Sequence, residues 1–342
     1  NNYIRANTIH SLTNSNVSAA CYVTGIFYNG PATGGTIDRN LVYALTTPSI
    51  IGFVNGINAG GQTATYQNNM IRLGIDAAGV TTATATNYNG ILETAGNNSF
   101  LHNTVYIGGT GVNTSPPTST YAFYNNALLT GTRLIRNNIF INERTSGSTG
   151  GKHYAIRIGG TAVNPTGLTI NNNLYRATGA FEGVFGSYNG SDVISLTAWQ
   201  AAVGGDAASI DTNPCLVNPT AATPDLHLTD CAGAGSPADG AGSDLGVTED
   251  YDNQTRATLT PTDIGADAGN YGVIGVDVGV SALAAPATPA GCLTATETVT
   301  VTLKNYGVNP IDLSVNPATV TVTATGGYSS NIVVNSGVLA SN

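Results

Sequence analysis

Four carboxylates stand in the first 180 residues: Asp38, Asp76, Glu93 and Glu143. Hydrolysis of a glycosidic bond needs two such groups roughly 5–10 Å apart. Lyase chemistry on an acidic sugar needs carboxylates to hold calcium and a base to take the α-proton. The repeat described below sets the four acids in different columns, so none stacks on another, and no Asp-Asp doublet occurs in the chain. No catalytic residue is assigned and an enzyme is not expected. In the acidic second half, Asp250-Tyr251-Asp252-Asn253 alternates oxygen ligands like the head of a calcium loop, without its closing bidentate Glu. Calcium there is the one cofactor to consider. The plainer reading is a capped turn, with Arg256 pairing Asp263 or Asp267. His102 and Arg136 fall at equivalent positions of adjacent repeats, where a solvated face is the simplest account. His10, His153 and His227 share no metal-ligand spacing.

The four cysteines, Cys21, Cys215, Cys231 and Cys292, lack any C-x-x-C spacing, which argues against zinc and thioredoxin-like chemistry. Cys215 and Cys231 lie in one Pro/Ala/Gly-rich stretch and are expected to pair, in an oxidising compartment. Cys21 reads as a small buried hydrophobe, and Cys292 as free or paired with a cysteine beyond Asn342.

The elements that position these groups follow from composition and repetition. Charged residues are 9% of the 342, against about 25% in ordinary soluble proteins, and 43 Gly, 47 Thr and 37 Asn fill the gap. That balance favours strands over helices. The net charge of −9 is uneven: residues 1–180 carry nine basic and four acidic side chains, residues 181–342 two and sixteen. The basic half has a single Lys and no basic run, so nucleic acid is not expected. No apolar run reaches the ~18–20 residues of a membrane helix. The chain opens on Asn1-Asn2-Tyr3-Ile4, inside a motif, and is expected to be a piece of a longer protein.

A phrase recurs six times: Asn7-Thr8-Ile9-His10, Arg39-Asn40-Leu41-Val42, Asn68-Asn69-Met70-Ile71, Asn103-Thr104-Val105-Tyr106, Asn137-Asn138-Ile139-Phe140 and Asn172-Asn173-Leu174-Tyr175. Its spacings are 32, 29, 35, 34 and 35 residues. A second phrase, a small residue before a large apolar one, precedes each repeat's Asn phrase: Gly25-Ile26, Gly52-Phe53, Gly90-Ile91, Ala122-Phe123, Ala155-Ile156 and Gly183-Val184. Units of ~33 residues that cannot cover their own apolar positions must stack, which predicts a solenoid. Asn tolerates a left-handed corner and can bond its copy one coil away. The structural Asn column is accordingly expected at Asn7, Asn68, Asn103, Asn137 and Asn172. If the third position of the phrase points inward, the fourth points out, making Tyr106, Phe140 and Tyr175 a candidate ligand-binding stripe.

These phrases resemble right-handed parallel β-helix repeats of pectate-lyase-like proteins. Further on, Trp199-Gln200, Ser209-Ile210, Asn213-Pro214, Asp225-Leu226-His227-Leu228, Ser236-Pro237-Ala238-Asp239, Asp250-Tyr251-Asp252 and Asp263-Ile264-Gly265-Ala266-Asp267 resemble the closing coils of secreted β-helix proteins from Bacteroidetes-type bacteria. The expected organisation is six coils over 1–194, closing coils and cap over 195–274, and an incomplete immunoglobulin-like β-sandwich over 275–342. Thr197-Ala198-Trp199-Gln200 reads as a capping box opening a short helix, stopped at Gly204-Gly205. Alternation at 297–305 and 318–323 reads as half-buried strands.

The resemblance implies type IX export and a place outside the cell. It points to a non-catalytic rod or adhesive module of a large surface protein, contacting adjacent domains of its own chain, glycans or other surface proteins, with no membrane insertion. A polysaccharide lyase or hydrolase and a filament subunit are the alternatives.

Overall fold

In a computed structural model the chain divides into two units, Asn1–Tyr271 and Gly272–Asn342. The structure describes residues 2–340 apart from 32–33, 62, 114, 126, 128, 147–149, 161–162, 164, 180–181, 260–261, 272–277, 287–297, 306–309 and 325–327. Cys292 therefore lies outside the described residues.

The first unit is a parallel β-solenoid of about six turns. Each turn contributes one strand to each of three parallel sheets, so that sequence neighbours lie in different sheets and strands a turn apart pair. The first sheet stacks Ile4, Ile37, Tyr66, Phe100, Ile135 and Ile170 in one inward column. The second stacks Ile9, Val42, Ile71, Val105, Phe140 and Tyr175. The third stacks Ile26, Ile57, Ile91, Phe123 and Ile156. From the second turn on, these columns are almost completely buried and form one continuous core.

The register differs from the sequence expectation by one residue in two repeats. A residue with positive φ begins each corner: Ala6, Arg39, Asn68, His102, Asn137 and Asn172, at 52–58°. The residue after it is always Asn. Asn7, Asn40, Asn69, Asn103, Asn138 and Asn173 form the ladder, each Nδ2 donating to the next residue's Oδ1 at 2.9–3.0 Å. Asn68, Asn137 and Asn172 are thus corner residues, not ladder members; Asn7 and Asn103 are ladder members. Both positions suit Asn, one by its tolerance of left-handed backbone and one by its self-complementary amide. In those two repeats the inward column of the first sheet is filled by Ile4 and Phe100, each one residue before Arg5 and Leu101. In the second phrase Gly56-Ile57 replaces Gly52-Phe53. A Cβ at Gly56 would lie 2.4 Å from Ile71 Cγ2, and one at Gly90 2.2 Å from Val105 Cγ1, so close approach of the third sheet to the second demands the small residue.

The helix Leu196–Val203 covers the last turn. Its N-cap is Ser195, whose side chain accepts from Ala198 N, rather than Thr197, and Gly204 ends it in a left-handed conformation. Trp199 packs against Tyr175, Phe185 and Tyr188. The ladder stops at Asp206, which accepts from Asn173 Nδ2, Tyr175 Oη and Trp199 Nε1.

Residues 213–271 do not extend the stack. They fold back as an irregular strap over the outer face of the second sheet. Leu226, Leu228, Ala238, Ile264 and Ala266 bury Met70, Ile139 and Leu174 there. The acids of this segment thus lie along the sheet face, where an end cap was expected. Cys215 and Cys231 are disulfide-bonded within the strap. Cys21 is buried beside Thr47 Oγ1.

In the second unit, Val278–Ala285 pairs with Thr300–Asn305, Ala318–Ala324 with Tyr328–Val334, and Ile311–Asp312 with Val338–Leu339, all antiparallel. These hairpins are compatible with part of a β-sandwich.

Candidate functional site

The ring stripe expected at Tyr106, Phe140 and Tyr175 is not a surface. Phe140 and Tyr175 are inward residues of the second sheet, fully buried in the core. Tyr106 pairs with Ile141, one position along, and is buried on the outer face under the strap. The alternation of a strand places these three rings on opposite sides of the sheet once the register is set by the ladder.

The four acids of the coils are each tied to separate partners. Asp38 is buried between Arg5 and Arg39. Asp76 caps a turn, accepting from Ala78 N and Val80 N. Glu93 lies inside the solenoid, where it meets Arg133 at 3.4 Å and accepts from Asn125 and Asn98. Burial raises its pKa against the opposing pull of Arg133. Glu143 accepts from Arg176 Nε at 2.6 Å and Tyr106 Oη at 3.2 Å.

Glu143 borders a cleft of about 280 Å³ between the second sheet and the disulfide end of the strap, lined also by Tyr106, Ile141, Asn213 and Leu216. Burial raises the pKa of Asp211, on the next strand, and Arg176 opposes it. His102 and Arg136 do not stack. His102 is a corner residue bonded through Nε2 to Asn137, and Arg136 donates to Asn172 and Ser243. Burial and nearby Arg256 hold His102 neutral.

The Asp250/Asp252 pair does not converge on one point. Asp250 is fully buried, its Oδ1 accepting from Asp252 N and Gln254 N and its Oδ2 from Ala268 N. Asp252 turns instead to His227. Arg256 donates to Asn68 Oδ1 and to the carbonyls of Gly265 and Ala266.

The third sheet carries a face that the sequence reading passed over. Tyr121 and Tyr154 stack on adjacent turns with centroids 5.0 Å apart and planes 4° from parallel. Tyr124 stacks on Tyr121 at 4.4 Å, and the Arg157 guanidinium lies 5.6 and 5.4 Å from those two ring centroids. Arg157 Nη1 donates to Tyr121 Oη, and Tyr154 Oη donates to Asp192 Oδ1 at 2.9 Å. Towards the first turn the same rows become amides: Asn89 Nδ2 donates to Asn55 Oδ1, and Asn55 Nδ2 to Thr24 Oγ1. Beside them Tyr22 stacks on Phe53, and Tyr22 and Phe27 are exposed. The signal was present in Tyr121-Ala122-Phe123-Tyr124 and Tyr154-Ala155-Ile156-Arg157. The residues flanking the small–large pair fall on the far side of the strand from it. Tyr121 and Tyr154 are 8% and 6% exposed, and Asn55 and Asn89 1% and 3%, so in this cluster the half-buried Tyr124 and Arg157 are the groups a sugar ring or hydroxyl could reach without any titrating step.

Comparison with family models, curated proteins and solved structures finds no match to this chain.

Proposed function

We propose that the chain is a non-catalytic rod and contact module of a large extracellular or cell-surface protein. Its binding face is the outer side of the third sheet, centred on the half-buried Tyr124 and Arg157, which rest on buried Tyr121 and Tyr154, with exposed Tyr22 and Phe27 towards the first turn. One observation carries this reading: the second sheet's outer face is largely filled by the chain's own strap, and three of the four coil acids are paired with separate arginines while Asp76 caps a turn. The disulfide supports an oxidising compartment. The second unit reads as part of an immunoglobulin-like sandwich joining the rod to further domains.

A glycan array combined with an absorbance assay for unsaturated products tests this reading. Glycan or protein binding without turnover, lost in Tyr124→Ser/Arg157→Gln, is expected. Turnover would overturn it. The acids flanking Arg176 beside the cleft favour one specific alternative, a polysaccharide-cleaving enzyme. In that case Glu143→Gln abolishes product formation.

A further inference from the structure

We propose that His227, Asp252 and Asp267 form a site for a divalent transition-metal ion, zinc foremost, that fastens three segments of the strap together. The ligand atoms come from the strand Asp225–Leu228, the turn at 250–253 and the return at 263–271. They lie within 4.8 Å of one another. Ligands of one ion with bonds of about 2.0–2.2 Å stand roughly 3 Å apart, so a small inward movement seats it.

The imidazole is set for this role. Its Nδ1 is 2.5 Å from Asp225 Oδ1, which fixes the ring and leaves Nε2 as the second nitrogen facing the cluster. Metal-bound histidines are commonly oriented in this way by a carboxylate behind the ring. The side chain is 31% exposed, but Nε2 itself is enclosed and makes no well-aligned hydrogen bond. Asp252 Oδ2 lies 2.8 Å from it but off the hydrogen-bonding line, an approach suited to two ligands of a shared ion. Asp267 is 2% exposed, and Leu228 N and Tyr271 Oη both donate to its Oδ2, which fixes the carboxylate and leaves its other oxygen for the ion. Three carboxylates thus surround one imidazole, an excess of negative charge that a divalent ion offsets better than a proton.

The donor set selects the metal. Calcium and magnesium favour all-oxygen shells, whereas one imidazole nitrogen with two carboxylates suits zinc and its neighbours. Asp250 is outside the shell because backbone N–H groups occupy both of its oxygens, whereas Asp267 is held through Oδ2.

The test uses the full chain stripped with a chelator, titrated calorimetrically with Zn²⁺, Ca²⁺ and Mg²⁺ in turn, and loaded separately with Co²⁺. The expected result is saturable uptake of about one Zn²⁺ and a midpoint of thermal unfolding raised by about 5 °C at a hundredfold excess over Kd. Co²⁺ visible bands should vanish in His227→Gln. Asp252→Asn, on the exposed side of the turn, should keep the fold and lose the uptake. His10→Gln should bind as the parent does. Absence of saturable Zn²⁺ uptake, uptake unchanged in both site variants, or binding of calcium but not zinc would overturn the proposal.

Discussion

In the coils, each buried ladder amide is answered by its copy one turn away. Asn103 donates to Asn138 and Tyr66 O while accepting from Asn69. In the strap the buried polar groups include the carboxylates of Asp250, Asp263 and Asp267, answered by backbone N–H groups at no fixed interval. Asp263 accepts from Gly240 and Gly269, and Asp250 from Asp252, Gln254 and Ala268. The contrast separates two ways of satisfying buried polar groups. A periodic solution couples every turn to its neighbours, so damage to it spreads. An aperiodic one is local, so damage should loosen the strap and spare the coils.

The strongest test places a charge on each side of the second sheet. Phe140→Asp should cost several kcal/mol and abolish cooperative unfolding of the coils, since the side chain is fully enclosed. Ile139→Asp faces the strap and should release it, exposing residues 213–271 to limited proteolysis while the coils retain their circular dichroism. Equal loss in both would erase the distinction between the regions.

Asn103→Ala should cost about 3–4 kcal/mol in chemical denaturation, because it removes two donated bonds, orphans Asn69 N and leaves Asn69 Nδ2 with its bond to Ile37 O alone. Asn137→Ala, at the corner beside Ser243, should cost less and act mainly on the strap. Removing the disulfide with Cys215→Ser/Cys231→Ser should destabilise the strap by ~3 kcal/mol, the loop-closure entropy for a separation of 16 residues.

The smallest effect concerns pH. Burial, with the Asp239 carboxyl beside it, pushes Asp263 up to about 7. Unfolded Asp titrates near ~3.9. Between these values the folded strap holds a proton that the unfolded chain lacks. The contribution is therefore full below about pH 4 and is lost as pH rises through about 7. Amide exchange of Gly240 and Gly269, corrected for intrinsic rates, should show more frequent opening at pH 8 than at pH 5. Asp239→Asn, whose amide can donate to Asp263, should flatten the difference.

The same contrast explains what could be read from the sequence. The solenoid was legible because Ile37, Tyr66, Ile135 and Ile170 recur with the Asn phrase. The register slipped in two copies because an Asn doublet hides which residue turns the corner and which joins the ladder. In Asn7-Thr8 and Asn103-Thr104 the lone Asn belongs to the ladder. Aligning on the position that is Asn in all six copies yields spacings of 33, 29, 34, 35 and 35 and restores Ile4 and Phe100 to their column. The strap's path was not legible. Its contacts, such as Arg256 with Asn68 and Ala266 with Thr104, join residues 188 and 162 apart with no repeat to announce them. The Cys215–Cys231 pairing was legible because it is local.

The strap gives the rod a stiff side. It touches Arg39 through Glu249, Asn68 through Arg256, Thr104 through Ala266, Asn137 through Ser243 and Asn172 through Ala241. Any force that parts one turn from the next must therefore also shear a chain segment lying lengthwise across the joint. Flexing that opens the second sheet meets this batten, whereas among the described residues no such lengthwise segment lies over the third sheet. A bending load should accordingly spread the turns on the ring-bearing side first, so tension on the protein would alter the spacing of Tyr121 and Tyr154 on adjacent turns.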